Sequence, residues 1–326
     1  MEIFFWQALL GYIIDLLVGD PPRLPHPVVL IGNSIARLES VARKTFNSDA
    51  ALKIAGVILA ATVTVGSFAV TALLLYALRE VSYLLFLLAG AWLVSTTIAT
   101  KGLATAARDI KQLLAEGDLP GARRQVGMIV GRDTGDMDSG DVARATVETV
   151  AENFVDAVAA PLFYACLGGP ALAMAYRAVN TLDSMLGYKN EKYMHLGWAS
   201  ARLDDLAGYV PARLAGGLLL FAAWLSNRDW RRAWRAWRRD AAAHPSPNSG
   251  IPESVMAGTL GIQLGGRNVY GGVVSHRAFM GEPGEEMRPD HINRAIDMLY
   301  LGALVAVLVV PVFWLAVWWG WTGLVS

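Results

Sequence analysis

Three carboxylates at four-residue intervals are the clearest chemical pattern in this sequence. Glu148, Glu152 and Asp156 occupy positions i, i+4 and i+8 of the segment ETVAENFVD, so on an α-helix they form one row. Like charges in a row repel each other, and a divalent cation or a cationic partner would relieve that repulsion. Because carboxylate oxygens suit Mg²⁺ better than zinc, the row predicts a magnesium site. The alternative is a solvated acidic stripe that leads into an apolar helix.

A second polar stretch, residues 176–211, lies between two apolar segments. Many charged and amide side chains beside a membrane are costly unless they bind something polar. The stretch therefore predicts one wall of a binding site, and a solvated connection between two helices is the alternative. Its candidate side chains are Arg177, Asn180, Asp183, Lys189, Asn190, Lys192, Tyr193, Arg202, Asp204 and Asp205.

A proline-rich segment near the N-terminus displays three further polar groups. Residues 19–27 read GDPPRLPHP, and so many prolines forbid a continuous helix and stiffen an extended loop. Asp20, Arg23 and His26 are held on that loop. Rigid presentation of three different polar side chains favours a binding site, although a helix terminator also uses glycine and proline.

The composition is that of a membrane protein. Of the 326 residues, 54% are hydrophobic and 17% are charged, whereas a soluble globular protein has roughly 25% charged residues. Lys plus Arg equals Asp plus Glu, so no overall field recruits nucleic acid. The single cysteine, Cys166, excludes an intramolecular disulfide framework and a Cys-rich zinc site.

The apolar runs predict an all-α, polytopic integral membrane protein with four to six transmembrane helices, re-entrant or amphipathic interfacial helices, and polar cytoplasmic motif loops. Residues 3–18 form a first span, 54–78 and 81–100 form a hairpin with a turn at Arg79-Glu80, and 299–326 form the last span. Segments 157–176 and 206–226 either both cross or both fold back, since glycines and prolines in them permit broken helices. Lys and Arg on both sides of the hairpin place that face in the cytoplasm and both termini outside.

The sequence predicts one membrane domain, residues 1–326, whose polar motif segments are 20–50, 101–156, 177–210 and 227–298. Trp230, Trp234 and Trp237 recur among arginines and predict an amphipathic helix at the headgroups, with nucleic-acid binding as the alternative. Residues 241–297 read as a polar, Gly- and Pro-rich region without a Walker-type phosphate loop. The backbone amides around Asn248, Ser249 and Gly250 could form an anion nest ahead of a short helix.

Several of these segments resemble the adenosylcobinamide-phosphate synthase family of cobalamin biosynthesis. The matching blocks are GDPPRLPHPVVLIG, GRDT, ETVAENFVDAVAAPLFY, YRAVNTLDSMLGYKNEKYMHLGWASARLDDLAGYVPAR and NSGIPESVMAGTLGIQLGG. The resemblance runs from about residue 10 to residue 270. It implies an integral membrane enzyme of the cytoplasmic membrane that joins (R)-1-amino-2-propanol O-phosphate to the propionate carboxyl of adenosylcobyric acid, with ATP and Mg²⁺.

Amide formation in water requires an activated carboxyl, most simply an acyl phosphate, and so predicts phosphate-binding cations, a metal and a base. The resemblance marks motifs without assigning roles, so roles follow from chemistry. The metal candidates are Glu148, Glu152 and Asp156, then Asp204 and Asp205; the catalytic candidates are Asp183, His26, Lys189, Arg177 and Arg202; the substrate-binding candidates are Asp20, Arg23, Asn153, Asn180, Asn190, Lys192, Tyr193, Arg213, Arg132, Asn248 and Ser249.

The expected partners are the two substrates and the lipid bilayer, while other cobalamin-pathway membrane enzymes and a homo-oligomer are left open. A membrane transporter is the main rival class, because broken helices and intramembrane charges also fit one. The transmembrane pattern shows no internal repeat that would support a transporter. A membrane scaffold for corrinoid intermediates is the third class, and it would not require carboxylate rows.

Overall fold

The computed structural model describes residues 2–19, 26–188 and 190–325. Most of these residues are helical, and the remaining regular structure is one two-stranded antiparallel hairpin. The helices are α1 Glu2–Leu17, α2 Pro27–Thr45, α3 Asp49–Val81, α4 Tyr83–Ser95, α5 Thr100–Ala115, α6 Leu119–Gly127, α7 Ser139–Phe154, α8 Ala160–Leu186, α9 Trp198–Leu225, α10 Trp230–Asp240, α11 Gly250–Leu260 and α12 Asp290–Val325. The strands are β1 Leu264–Tyr270 and β2 Val273–Met280.

Five helical stretches in the described residues are long and apolar enough to cross a membrane. They are Asp49–Val81, Tyr83–Ala115, Ser139–Leu186, Trp198–Leu225 and Asp290–Trp314. Helix α1, with 16 residues, is shorter than a usual span of about 20. The chain is an all-α polytopic membrane protein, and the predicted fold class is confirmed.

Local capping explains where the hairpin of apolar helices turns. The turn was predicted at Arg79-Glu80, but α3 continues to Val81 and the chain reverses at Ser82. The Ser82 hydroxyl accepts from the Leu85 amide, 3.5 Å away, and the Ser82 amide donates to the Leu78 carbonyl. One serine therefore ends α3 and begins α4, since its side chain and its amide satisfy groups of both helices.

Helix α8 is broken near its middle, as the glycines and proline in that segment predict. Gly168 and Gly169 have non-helical backbone angles, and Gly169 has a φ of +73°. A side chain at Gly169 would also meet the ring of Phe4 on α1. Pro211, by contrast, lies inside the continuous helix α9, so the break that glycines and a proline would permit in the second segment is not found there.

The chain forms two compact units. The first unit comprises residues 1–99, 160–208 and 307–326, and the second comprises residues 100–159 and 209–306. Helices α9 and α12 contribute to both. The prediction of a single membrane domain over residues 1–326 is not tested by this division into two units.

In the first unit, α8 packs against α1, α2, α3 and α4. The shared core is aliphatic, and its buried members are Ile31, Ile35, Leu59, Ala60, Val63, Leu75, Leu93, Met174, Ala178, Leu182 and Leu186. Much of α3 is exposed on its other side, with large apolar side chains such as Val65, Val70 and Leu73 facing outward. Such a surface suits lipid contact.

In the second unit, α7 and α11 pack together and the hairpin packs on both. The region 241–297 was predicted as a polar, Gly- and Pro-rich segment with one short helix, and it also contains the β-hairpin. The last helix begins at Asp290, nine positions before the predicted span at Leu299. These elements were missed because α11 and the strands are short and the glycines interrupt their periodicity.

Helix α10 confirms the predicted amphipathic helix and shows which side is buried. Ala233 and Ala236 are buried, whereas Trp230 and Trp234 are 39% and 41% exposed. Helix α11 packs closely against α10, because a side chain at Gly258 would overlap the backbone of Ala233. The small alanines face α11, and two of the three tryptophans stay on the outer surface.

Candidate functional site

A buried carboxylate, Glu148, is the centre of the polar cluster in the second unit. Its side chain lies on α7 and is 3% exposed. Arg132 donates a short hydrogen bond to Glu148 Oε2, Arg144 Nη1 lies 3.2 Å from Oε1, and the Gly265 amide donates to Oε1 at 2.7 Å. The carboxylate is thus neutralised by two guanidinium groups, as a buried charge requires.

The side chain of Asn268, on β1, is hydrogen-bonded to the same two arginines. Its Oδ1 accepts from Arg132 Nη1 and from Arg144 Nη1, the latter at 3.3 Å. Arg144 also donates to the carbonyl of Gly265 at 2.7 Å and to that of Arg267 at 3.1 Å. Because these bonds run from α7 to β1, the cluster attaches the hairpin to the helix.

The hairpin can approach α7 because of its glycines. Gly265 has a φ of +87°, and the strand pairing shifts register between Leu264 and Gly266. A Cβ on Gly265 would overlap the carbonyl oxygen of Ala278 on β2. Glycine is therefore required where the amide turns toward Glu148.

The second carboxylate of the row, Glu152, is half-buried and faces the segment before α11. Ser249 Oγ donates to Glu152 Oε1 at 2.9 Å. Beside it, Arg213 of α9 lies 3.4 Å from Asn248 Oδ1, and its guanidinium stacks 3.3 Å from the Tyr209 ring centre. Segments distant in the sequence, at residues 132, 148–152, 213 and 248–249, therefore meet in one unit.

A family model described as CobD/Cbib protein matches residues 8–299 of this chain. Cobalamin biosynthesis protein CobD of Listeria monocytogenes serovar 1/2a is 42% identical over 306 residues, which cover 94% of this chain and 96% of that protein. The proteins of the same name from Geobacter metallireducens and Klebsiella pneumoniae are 44% and 42% identical, over 94% of this chain and 95% of each relative. No solved structure matches the chain.

The chain belongs to the CobD/Cbib protein family. The family match includes every residue of the cluster around Glu148. The resemblance predicted from the motifs is confirmed, and it places the protein in cobalamin biosynthesis.

The magnesium site on the carboxylate row stays a prediction. Among residues 2–19, 26–188 and 190–325, no group of three or more His, Cys, Asp or Glu side chains is placed to hold a metal ion. Arg132 and Arg144 stand beside Glu148, and Asp156 lies in a π-helical turn, Val155–Ala159, after the end of α7. The π turn changes the residue spacing, so the α-helical row ends at Glu152. Asp204 and Asp205 belong to the other unit.

The predicted anion nest is satisfied from within. The amides of Asn248 and Ser249 donate to Ser246 Oγ at 3.2 and 3.3 Å. Helix α11 does begin at Gly250, as predicted. Anion binding at these amides stays a prediction.

The remaining candidates of the second unit, Asn153 and Arg132, have partners of their own. Asn153 Nδ2 donates to the Thr149 carbonyl, one turn back, at 3.0 Å. Arg132 is committed to Glu148 and Asn268. Substrate binding by these two residues stays a prediction.

In the first unit, several candidates are placed with partners on their own helices. His26 caps α2, since its Nδ1 accepts from the Val28 amide at 3.3 Å. Arg177 Nη1 lies 3.2 Å from Asn180 Oδ1 on α8, and Arg202 lies 3.9 Å from Asp205 on α9. Asp183 and Asp204 are on the same two helices. Asp20, Arg23 and Lys189 lie outside the described residues.

The connection between α8 and α9 is fastened to α2. Asn190 Oδ1 accepts from the Tyr193 amide at 3.1 Å, and Arg43 donates to the Lys192 carbonyl at 2.7 Å. The Lys192 ammonium lies 3.8 Å from Glu39 and 4.6 Å from the Tyr193 ring centre. The stretch 176–211 thus consists of two helix ends and a short, well-anchored connection.

A buried His–Glu pair in the second unit was missed by the sequence reasoning. His244 Nε2 and Glu253 Oε1 are 3.6 Å apart, with side chains 4% and 2% exposed, and neither atom has a hydrogen-bond partner in the described residues. Burial raises the pKa of Glu253 well above its usual value, and the nearby Glu152 and Glu148 raise it further against Arg277 and Arg132. Burial and Arg277 lower the pKa of His244, against Glu152 and Glu148. Both shifts favour a neutral carboxylic acid beside a neutral imidazole.

This pair predicts how stability depends on pH. A carboxyl whose folded pKa is raised stabilises the fold at low pH, and that contribution is lost as the pH rises through the folded pKa. His244, whose pKa is lowered, acts in the opposite sense and loses its contribution as the pH falls. Glu253→Gln should therefore remove the loss of stability that begins near the ordinary glutamate pKa of 4.5 and continues up to the raised folded pKa, at most one proton or roughly 1.4 kcal/mol per pH unit.

The measurement is thermal unfolding in detergent at a series of pH values that starts below the ordinary glutamate pKa of 4.5 and rises past neutrality. Glu282→Gln is the matched control, because Glu282 has a side chain 48% exposed. We expect the control to follow the wild type while Glu253→Gln loses less stability. Parallel curves for all three proteins would contradict the assigned pKa shift.

Other members of the cluster were missed for a common reason. Arg144, Asn268 and Arg277 lie within the polar motif segments 101–156 and 227–298 but outside the shorter family-like blocks from which the candidates were chosen. Glu253 did carry a signal, since it is the single charged side chain in the apolar helix GIPESVMAGTL. A lone carboxylate in such a helix is buried and needs an explanation.

Proposed function

We propose that this chain is an adenosylcobinamide-phosphate synthase, an amide-forming acid–amine ligase of cobalamin biosynthesis. It would join (R)-1-amino-2-propanol O-phosphate to the propionate carboxyl of adenosylcobyric acid with ATP. The observation that carries the proposal is the meeting of three family-like segments, around Arg132, Glu148–Glu152 and Asn248–Ser249, in one polar cluster of a CobD/Cbib family member.

The proposed chemistry has two balanced steps. The propionate oxygen attacks the γ-phosphorus of ATP, ADP leaves, and an acyl phosphate forms. The ammonium group then loses one proton, its nitrogen forms the C–N bond, and the C–O bond breaks so that phosphate leaves with the electron pair and the second proton. Mg²⁺ accompanies ATP in this proposal, as in other phosphoryl transfers, and no carboxylate cage on the chain is required for it.

The roles of the side chains follow from their chemistry. Arg213 is half-buried and held on the Tyr209 ring, so its guanidinium is pre-oriented to bind a phosphate. By chemistry alone, Arg177, Arg202 and Lys189 stay proposed phosphate-binding cations, and Asp183 or His26 stays the proposed proton acceptor. A membrane-embedded enzyme suits a large amphipathic corrinoid, whose ring can be partly buried while its propionate stays near water.

The proposed location is the cytoplasmic membrane, with the polar segments on the cytoplasmic side. The predicted placement of both termini outside needs an even number of spans, so it requires α1 to cross as a sixth span beside the five. The decisive experiment is an assay of the purified full chain with adenosylcobyric acid, aminopropanol phosphate, Mg²⁺ and ATP, followed by mass spectrometry of the corrinoid. We expect an amide product that depends on ATP. Replacing the amine with hydroxylamine should give a hydroxamate if an acyl phosphate forms.

Two controls separate the rival classes. Omission of ATP should abolish both products, whereas hydrolysis of ATP without any corrinoid product would contradict the ligase proposal. Uptake of corrinoid into vesicles, together with no amide product, would identify a transporter instead. Binding of corrinoid without uptake or reaction would identify a scaffold.

A further inference from the structure

A cavity of about 300 Å³ opens in the second unit, between the loop that precedes α7 and the β-hairpin. None of its lining residues was among the sequence candidates. The polar lining consists of Asp133, Asp136, Asp141, Arg144, Arg267 and Asn268. The volume is at the small end of ligand pockets, which span roughly 300–1,000 Å³, so it suits a small metabolite better than a nucleotide or a corrinoid.

A buried amide in the cavity wall lacks a partner. Asn268 is 2% exposed, and its Oδ1 is fixed by the guanidinium groups of Arg132 and Arg144. Its Nδ2 has no hydrogen-bond acceptor among the residues that the structure describes. Buried donors are almost always paired, so this amide calls for an acceptor from outside the described chain.

The lining also carries uncommitted charges of both signs. Asp133 accepts from the Gly272 amide at 2.7 Å, and Asp141 pairs with Arg144 at 3.0 Å. The side chains of Asp136 and Arg267 make no ion pair or hydrogen bond within residues 2–19, 26–188 and 190–325, although both line the cavity. An anion-binding cation and a cation-binding carboxylate therefore face one small space without neutralising each other.

We propose that this cavity binds a small zwitterion with a phosphate at one end and an ammonium group at the other. Building on the proposed function, the ligand is the amino-alkyl phosphate substrate. Arg267 would hold the phosphate oxygens, and Asp136 would hold the ammonium group. Val269 and Val274 form an apolar part of the lining, which can accommodate the methyl group of the propanol carbon.

The test is calorimetric titration of the purified full chain in detergent with aminopropanol phosphate, without ATP or corrinoid. Arg267→Gln and Asp136→Asn should each weaken binding at least tenfold, as expected for the loss of a charged hydrogen-bond partner. Arg288→Gln and Glu286→Gln, at exposed positions, are the matched controls and should bind as the wild type does. Equal melting temperatures of all five proteins exclude misfolding.

Ligand analogues assign each end of the molecule. Aminopropanol without its phosphate should be insensitive to Arg267→Gln, and isopropyl phosphate, which has no amine, should be insensitive to Asp136→Asn. The proposal is overturned if neither variant weakens binding, if inorganic phosphate binds the wild type as tightly as the zwitterion, or if ATP alone displaces it. Because binding is measured without ligation, a failed ligase assay with intact two-ended binding would refute the proposed function and leave this site standing.

Discussion

Replacing Glu148 with glutamine is expected to destabilise the second unit by about 3–5 kcal/mol, because breaking a buried ion pair leaves uncompensated charge. The Glu148 carboxylate accepts hydrogen bonds from Arg132, Arg144 and the Gly265 amide. A glutamine would keep the shape but leave two guanidinium groups facing each other. The measurement is unfolding in detergent, with hydrogen exchange of residues 264–280, which we expect to lose protection first.

Glu282→Gln is the matched control for this change. Glu282 pairs with Arg239 at 2.9 Å, but its side chain is 48% exposed, so its loss should cost less than about 1 kcal/mol. Arg144→Met should cost less in the Glu148→Gln background than in the wild type, since the two side chains share one network. Similar stability of the two glutamine variants would show that the network does not hold the hairpin.

Gly56→Ala should destabilise the first unit, and Gly66→Ala, on the same helix, should not. A Cβ on Gly56 would overlap the carbonyl oxygen of Leu196, which is backbone and cannot rotate away. Overpacking of this kind costs about 1–3 kcal/mol, more than the roughly 1 kcal/mol that alanine contributes to helix propensity. A Cβ on Gly66 would meet no atom within 4 Å, so only the gain in helix propensity applies there.

The two alanine variants should therefore shift the melting temperature in opposite directions. A displaced α3 should also weaken the contacts that tie it to the connection between α8 and α9, where Asp49 lies 3.5 Å from His195 and Lys53 lies 4.1 Å from the Trp198 ring centre. Equal melting temperatures for both variants would mean that α3 is free to move away from Leu196.

Much of the fold follows from local sequence. The uncharged runs predict the apolar helices, since each helix satisfies its own backbone in a membrane. The glycine pair at 168–169 predicts the break in α8, and the tryptophan spacing predicts α10. The family motifs are readable in the same way, because they are contiguous blocks of residues.

The partners of the polar side chains were decided by tertiary structure. The sequence shows that Glu148, Glu152 and Asp156 recur every four residues, but it does not show that Arg132 and Asn268 reach Glu148 from a loop and a strand. A buried carboxylate needs a counter-charge. The sequence pattern alone does not distinguish an arginine from a metal ion as the source of that charge. Only the packing of α7 against the hairpin selected arginine.

The sequence alone therefore determined a polytopic membrane protein of the CobD/Cbib family and the segments that carry its polar groups. The tertiary structure alone brought His244 to Glu253 and placed Asp136, Arg267 and Asn268 around one cavity. The physical reason is the separation along the chain of the residues that interact. Helix formation and membrane burial depend on neighbours along the chain, whereas charge pairing and cavities depend on side chains that are up to a hundred or more positions apart, such as Arg132 and Asn268.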